Sequence, residues 1–168
     1  MRIVGISNKT RYWQHYCFSN PPEDYRYSRM VDVPWHVLRV KNQFLAHTKF
    51  FFPLKRADLF HTYNSVVANH RPWVIEVESY LPRYKPMKET HPLFRWGQRR
   101  LASSDCRALI FTSENTARMN HDRLVAIGVD PAKMHVVYRA VEQYLPGEKE
   151  SARFTILFAG NGFYRKGG

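Results

Sequence analysis

Cysteine is scarce in this chain. Cys17 and Cys106 are the only two, far apart, in neither a CxxC pair nor a disulfide-scaffold pattern. A reducing cytoplasm is the simplest expectation. Acidic residues are also few, 14 Asp and Glu against 26 Lys and Arg, giving a net charge of +12. Such a charge favours polyanionic partners: nucleic acid, an anionic membrane face or phosphorylated ligands. No apolar run approaches the ~20 residues that a spanning helix requires. The longest candidate, Phe44 to Leu54, is broken by His47, Lys49 and Pro53. Arg2 leads straight into the short stretch Ile3–Ile6, too brief for a signal-peptide core. The eight histidines form no HExxH and no Cys/His cluster, so no metal site is expected. Neither GxSxG nor a P-loop is present, which removes the commonest hydrolase and NTPase signatures.

What the chain does have is a globular composition. Its 168 residues are 44% hydrophobic and 15% aromatic, with 11 Phe and 10 Tyr, enough for one sizeable core. Short apolar runs alternate with helical spacing over residues 57–138, which predicts a parallel sheet covered by helices. Strands are expected at Arg2–Ser7, Ala57–His61, Pro72–Val77, Arg107–Thr112 and Met134–Tyr138. Helices are expected at Pro34–Phe52, from Ser65 through Asn69, at Pro92–Ser103 and at Glu114–Ile127. Ser113 suits the N-cap of the last, and Gly128 its C-terminal stop. Residues 10–32 read as loop with a hairpin, and Tyr80–Thr90 as loop.

The final fifteen residues hold the densest chemical signal. Phe154–Ala159 reads as a buried strand, opening into a loop with Gly160, Gly162, Gly167 and Gly168 beside Arg165 and Lys166. Glycines admit a close approach of backbone to an anion, and the two cations can neutralise phosphate. Gly160–Asn161–Gly162 does not extend to GxGxxG, so dinucleotide binding gains little support. Gln143–Ser151, polar with Pro and Gly, reads as a linker before this strand.

In order, three segments resemble the retaining glycosyltransferases of the GT-B fold, family 4. They are Ala57–Asn64 (ADLFHTYN), then Cys106–Glu114 with Gly128–Val137, then Ile156–Gly160 followed by Arg165–Gly167. The resemblance implies an α/β, Rossmann-like parallel sheet with flanking helices in an acceptor-side domain over residues 1–150. It also implies that residues 153–168 begin a donor-binding domain. The implied activity is hexosyl transfer from a nucleotide-sugar donor to a glycan or lipid-linked acceptor in cell-envelope or polysaccharide synthesis. No cofactor is implied, because the nucleotide-sugar is a substrate, and residues 1–168 alone are expected to be inactive.

On this resemblance Lys166 contacts the donor diphosphate, where a fixed cation stabilises the charge that builds on the leaving group. Gly160, Asn161, Gly162 and Gly167 line the same loop. The family usually has arginine where this chain has Asn161, and Arg165 replaces it only if the loop turns its side chain inward. Glu78, after the third strand, would contact an acceptor hydroxyl or stabilise oxocarbenium-like charge; a solvated strand-end glutamate is the alternative. His61 ends a strand where α/β domains place ligand contacts, or is structural. Asn64, Ser113 and Glu114 either line the cleft or serve as helix caps and a dipole complement. The family's glycine-rich loop after the first strand is replaced by Gly5–Thr10.

One basic stretch stands apart. Arg83, Lys85, Lys88, Arg95, Arg99 and Arg100 interleave with Tyr84, Phe94 and Trp96. It suits an anionic membrane at the inner face of the cell, at about 1 kcal/mol per cation, while for any single residue a solvated helix face with core aromatics is the first expectation. A basic nucleic-acid-binding module and a non-catalytic sugar- or anion-binding relative are the rival readings, with nucleic acid ranked behind the nucleotide-sugar.

Overall fold

The computed structural model describes residues 1–7, 21–33 and 42–138. The expected linker 143–151, strand 154–159 and glycine-rich loop with Asn161, Arg165 and Lys166 lie outside these residues. So do residues 8–10 of the first loop and the first part of the helix expected from Pro34.

Six strands form one parallel sheet: β1 (Arg2–Ser7), β2 (Tyr25–Met30), β4 (Leu59–Tyr63), β6 (Trp73–Val77), β7 (Cys106–Phe111) and β8 (Met134–Val136). Their spatial order is β2-β1-β4-β6-β7-β8. Two short strands, β3 (Thr48–Lys49) and β5 (Val66–Val67), pair in parallel as a separate ribbon. Helices α1 (Gln43–Ala46), α2 (Pro92–Ala102) and α3 (Glu114–Ala126) complete the described elements, with a single 3₁₀ turn at Pro131–Lys133. This is the α/β, Rossmann-like sheet with flanking helices that the alternation of elements predicts.

The central strands are apolar because both faces of a parallel sheet are covered. Trp73, Ile75 and Val77 on β6, with Leu109 and Phe111 on β7, have no exposed surface. Register places Ile75 beside Leu109 and Val77 beside Phe111 on one face. Phe94 and Leu101 of α2 and Leu124 of α3 join the same core. His91 caps α2 ahead of Pro92, with its ring nitrogen accepting from Leu93 N–H. Ser113 caps α3 as expected, its hydroxyl accepting from Thr116 N–H. Gly128 takes the left-handed conformation (φ 87°) that stops α3.

Several expectations are corrected. Residues 25–30 are not loop or hairpin; they form β2, a parallel edge strand whose polar sequence YRYSRM hides it from a hydrophobic-run criterion. Pro34–Phe52 is not one helix. Within the described part Asn42 caps the single turn α1, and Thr48–Phe52 then runs extended. The helix expected through Asn69 is instead β5, where β-branched Val66 and Val67 pair with β3. The strand expected at 57–61 is shifted two residues, to Leu59–Tyr63, and the strand expected to reach Tyr138 ends at Val136.

The basic stretch is also rearranged by folding. Tyr84 and Phe94 are buried, Trp96 packs against the core, and Arg100 is buried. Arg100 donates to the carbonyls of Val67 (3.0 Å) and Asn69 (2.6 Å) and to Asp105 Oδ2 (2.8 Å). The aromatics are core, and Lys85, Lys88, Arg95 and Arg99 stay exposed, which is the solvated face over core aromatics that the sequence also allows; only Arg100 departs from it, by being buried.

Candidate functional site

Strand order defines where to look. From β1 the chain places β2 on one side, while β4, β6, β7 and β8 step away on the other. The reversal between β1 and β4 is the switch point of the sheet. Ligands of open parallel sheets bind outside the carboxyl ends of the strands, at such a point. The residues that follow β4 and β6, on the β4 side of this point at the same carboxyl edge, form a connected polar group.

Asn64 sits directly after β4 and organises the group. It is buried, and its φ of 50° puts a non-glycine residue in the left-handed region. Its own bonds maintain that conformation. Asn64 N–H donates to Glu76 O (2.8 Å), and its Oδ1 accepts from Glu78 N–H (2.9 Å). The turn is tightened by Thr62 Oγ1 donating to Ser65 O (2.6 Å) and Ser65 Oγ donating to Tyr63 O (3.0 Å). Backbone strain maintained by many bonds is typical of functional positions.

Glu78 is exposed at the end of β6. Its Oε2 accepts from the Tyr63 hydroxyl and, at 3.5 Å, from Asn64 Nδ2. Both side-chain bonds run to one oxygen, which leaves Oε1 to accept from a ligand hydroxyl. Thr116 Oγ1 donates to Glu78 O (3.4 Å) and lies 3.0 Å from Ser113 Oγ, which links α3's first turn to the group. His47 lies behind Asn64. Burial first, then the charge of Arg83, pushes its imidazole below the ordinary value. The neutral ring keeps a proton on Nδ1 to donate to Asn64 O at 3.1 Å.

Of the residues expected at a site, Glu78 and Asn64 come into direct contact, and Ser113 joins them through Thr116. Ser113 does this while serving as the α3 cap. Asn64 caps no helix. Glu114 is exposed in the first turn of α3, where its charge complements the helix dipole. His61 is buried two residues before Tyr63 on the same face of β4; its Nδ1 is 3.3 Å from Tyr27 Oη on β2. Arg165, Lys166, Gly160, Asn161, Gly162 and Gly167 are outside the described residues.

Sequence reasoning missed Tyr63, Thr116 and a second polar group at the ends of β1 and β2. There Ser7 Oγ donates to the buried Asp32 (2.9 Å), which also pairs with Lys49 Nζ at 3.0 Å. Tyr63 was visible only as the residue before Asn64 in ADLFHTYN, beyond the strand expected to end at His61. Nothing in the local sequence marks Asp32, because its partners come from two other segments. Among the described residues no group of His, Cys, Asp and Glu is arranged to hold a metal ion. No described helix is long and apolar enough to cross a membrane. Burial pushes the Cys106 thiol up to about 12, which keeps it protonated and unreactive.

No protein-family model, curated protein or solved structure matches the chain. The reading of the site therefore rests on its geometry and on the sequence pattern.

Proposed function

We propose that this chain is the acceptor-side part of a retaining glycosyltransferase of the GT-B type. It would transfer a sugar from a nucleotide-sugar to a glycan or lipid-linked acceptor in envelope or polysaccharide synthesis. The observation that carries the reading is Glu78: an exposed carboxylate, held on one oxygen by Tyr63 and Asn64, at the carboxyl edge of a parallel sheet. A carboxylate so fixed can accept a hydrogen bond from a sugar hydroxyl through Oε1. It can also stabilise positive charge that develops at an anomeric carbon, without rearranging as the reaction proceeds.

Each remaining part has a role under this reading. Asn64 and Tyr63 orient the carboxylate, while Thr116 and the Ser113 cap fix the backbone that carries it. His61, buried mid-strand on β4 with its ring against Tyr27, would support that strand end from within the fold. Lys166 and Arg165 would supply cations for the donor diphosphate, as the resemblance to family 4 implies.

A donor screen tests the proposal. Protein of natural length is incubated with UDP-, GDP-, ADP- and dTDP-sugars in the presence of lipid and glycan extracts, and transferred sugar is measured. Transfer from one donor class is the expected result. Absence of transfer from every donor, together with a salt-sensitive shift of single-stranded nucleic acid, would assign the basic surface to the rival nucleic-acid reading.

A further inference from the structure

The edge of the sheet farthest from β2 carries a surface that the reading of Glu78 does not use. Strand β8 ends the order on that side and, among the described residues, pairs with β7 alone. Its register sets Met134 beside Leu109 and Val136 beside Phe111. Val137 N–H donates to Phe111 O (2.9 Å), so Val137 turns its main-chain groups toward β7. Main-chain groups of successive strand residues point to opposite edges. The N–H and C=O of Val136 therefore face outward, where no described residue pairs with them. Val136, Val137 and Tyr138 are 40%, 54% and 65% exposed. An edge of this kind is a template for pairing with another extended chain.

A groove lies beside this edge. A cavity of about 320 Å³ opens between β8 and α3. Buried Phe111 and half-buried Ala117 and Met134 form its floor, with Val136 at the side. Met134 and Val136 share this face because strand side chains alternate. Arg118 and His121, both exposed on α3, stand at its rim. His121 Nδ1 lies 2.9 Å from Asp122 Oδ1, whereas the Arg118 guanidinium meets no carboxylate among the described residues. An outward main-chain pair, an apolar seat and an unmatched cation are the three parts from which strand addition builds affinity and selectivity.

We propose that β8 receives an extended acidic peptide of a partner protein as an added strand. Its main chain pairs with Val136, one apolar side chain enters the groove, and a carboxylate two residues away on the same face meets Arg118. The net charge of +12 favours an acidic occupant. A second copy is disfavoured, because pairing edge to edge brings two such charges and two Arg118 side chains together. This inference stands on the sheet edge and the groove and does not rest on the glycosyltransferase reading.

The experiment titrates protein of natural length into a fluorescein-labelled peptide, Thr-Glu-Thr-Leu-Thr-Glu-Thr, and reads fluorescence anisotropy. In an extended peptide the glutamates and the leucine share one face. Two copies of equal charge are compared, one N-methylated at the threonines and the other at the glutamates and leucine. Each pattern blocks one edge of the peptide strand, so only one of the two is expected to lose affinity, by about tenfold. Arg118→Glu, on an exposed helix position, is expected to weaken binding about fivefold with unchanged thermal unfolding. Val136→Pro removes the outward N–H, a substitution that edge strands tolerate, and is expected to weaken binding about fivefold. The methylated pair asks the same question of an unaltered protein, should Val136→Pro fail to fold. Absence of binding by the unmethylated peptide overturns the proposal. Equal affinity of the two methylated copies, or wild-type affinity of folded Arg118→Glu, overturns it too. A dimer in light scattering that Arg118→Glu alters gives the edge to a second copy, and also overturns it.

Discussion

Arg100 shows how a residue's chemistry is decided by what folding places around it. In the sequence it belongs to a basic run; in the structure its guanidinium reaches two carbonyls and Asp105, and it ties α2 to the chain after β5 and to the start of β7. Its hydrogen bond to the Asp105 carboxylate is the main reason that group is held below the usual carboxylate range. A carboxylate with a depressed folded value contributes stability above its unfolded value of about 4, and loses it as pH falls through the folded value. Asp105→Asn should therefore be less stable than wild type at neutral pH. The gap should close progressively as pH drops below about 4. Urea midpoints at neutral and acid pH measure this, and a gap that stays constant across the range would remove the ion pair from the account. Glu78 is the opposite case, a side chain left exposed and positioned by the Tyr63 hydroxyl and the Asn64 amide.

Helix α2 is where packing overrides propensity. Gly97 lies mid-helix, a position where alanine would ordinarily gain about 1 kcal/mol. Here a Cβ would sit 2.5 Å from Tyr84 Cε2. The buried Tyr84 ring is fixed from below by its hydroxyl, 2.9 Å from Thr48 Oγ1. Gly97→Ala should lower stability by about 1–3 kcal/mol despite the better propensity. A raised melting temperature for this variant would mean that Tyr84 does not occupy that seat. The elements most legible in the sequence were those with apolar runs or caps: β6, β7, and α2 and α3 with the Ser113 cap and Gly128 stop. Those that were not legible draw their conformation from elsewhere. β2 is polar because at the sheet edge all its side chains but Met30 remain in part solvent-accessible, and β5 is extended because β3 pairs with it.

For the molecule as a whole, the parallel sheet could be read from the alternation of elements, but the switch point could not. It depends on β2 lying beyond β1, a pairing that no local pattern in YRYSRM encodes. The site was half legible for the same reason. Glu78 and Asn64 were recognisable as strand-end polar residues, yet Tyr63 reaches Glu78 across fifteen positions of sequence. The left-handed Asn64 that connects them is a product of the folded turn. The glycosyltransferase reading makes this group the acceptor-side chemistry of the sheet's carboxyl edge, and Glu78→Gln addresses it most directly. Sugar transfer and thermal unfolding are measured on the same preparations of variant and wild-type protein of natural length. The account predicts that kcat falls by about a hundredfold or more, near 3 kcal/mol in the transition state. The melting temperature should stay close to wild type, since Glu78 is exposed. A folded Glu78→Gln variant that retains wild-type kcat would contradict it.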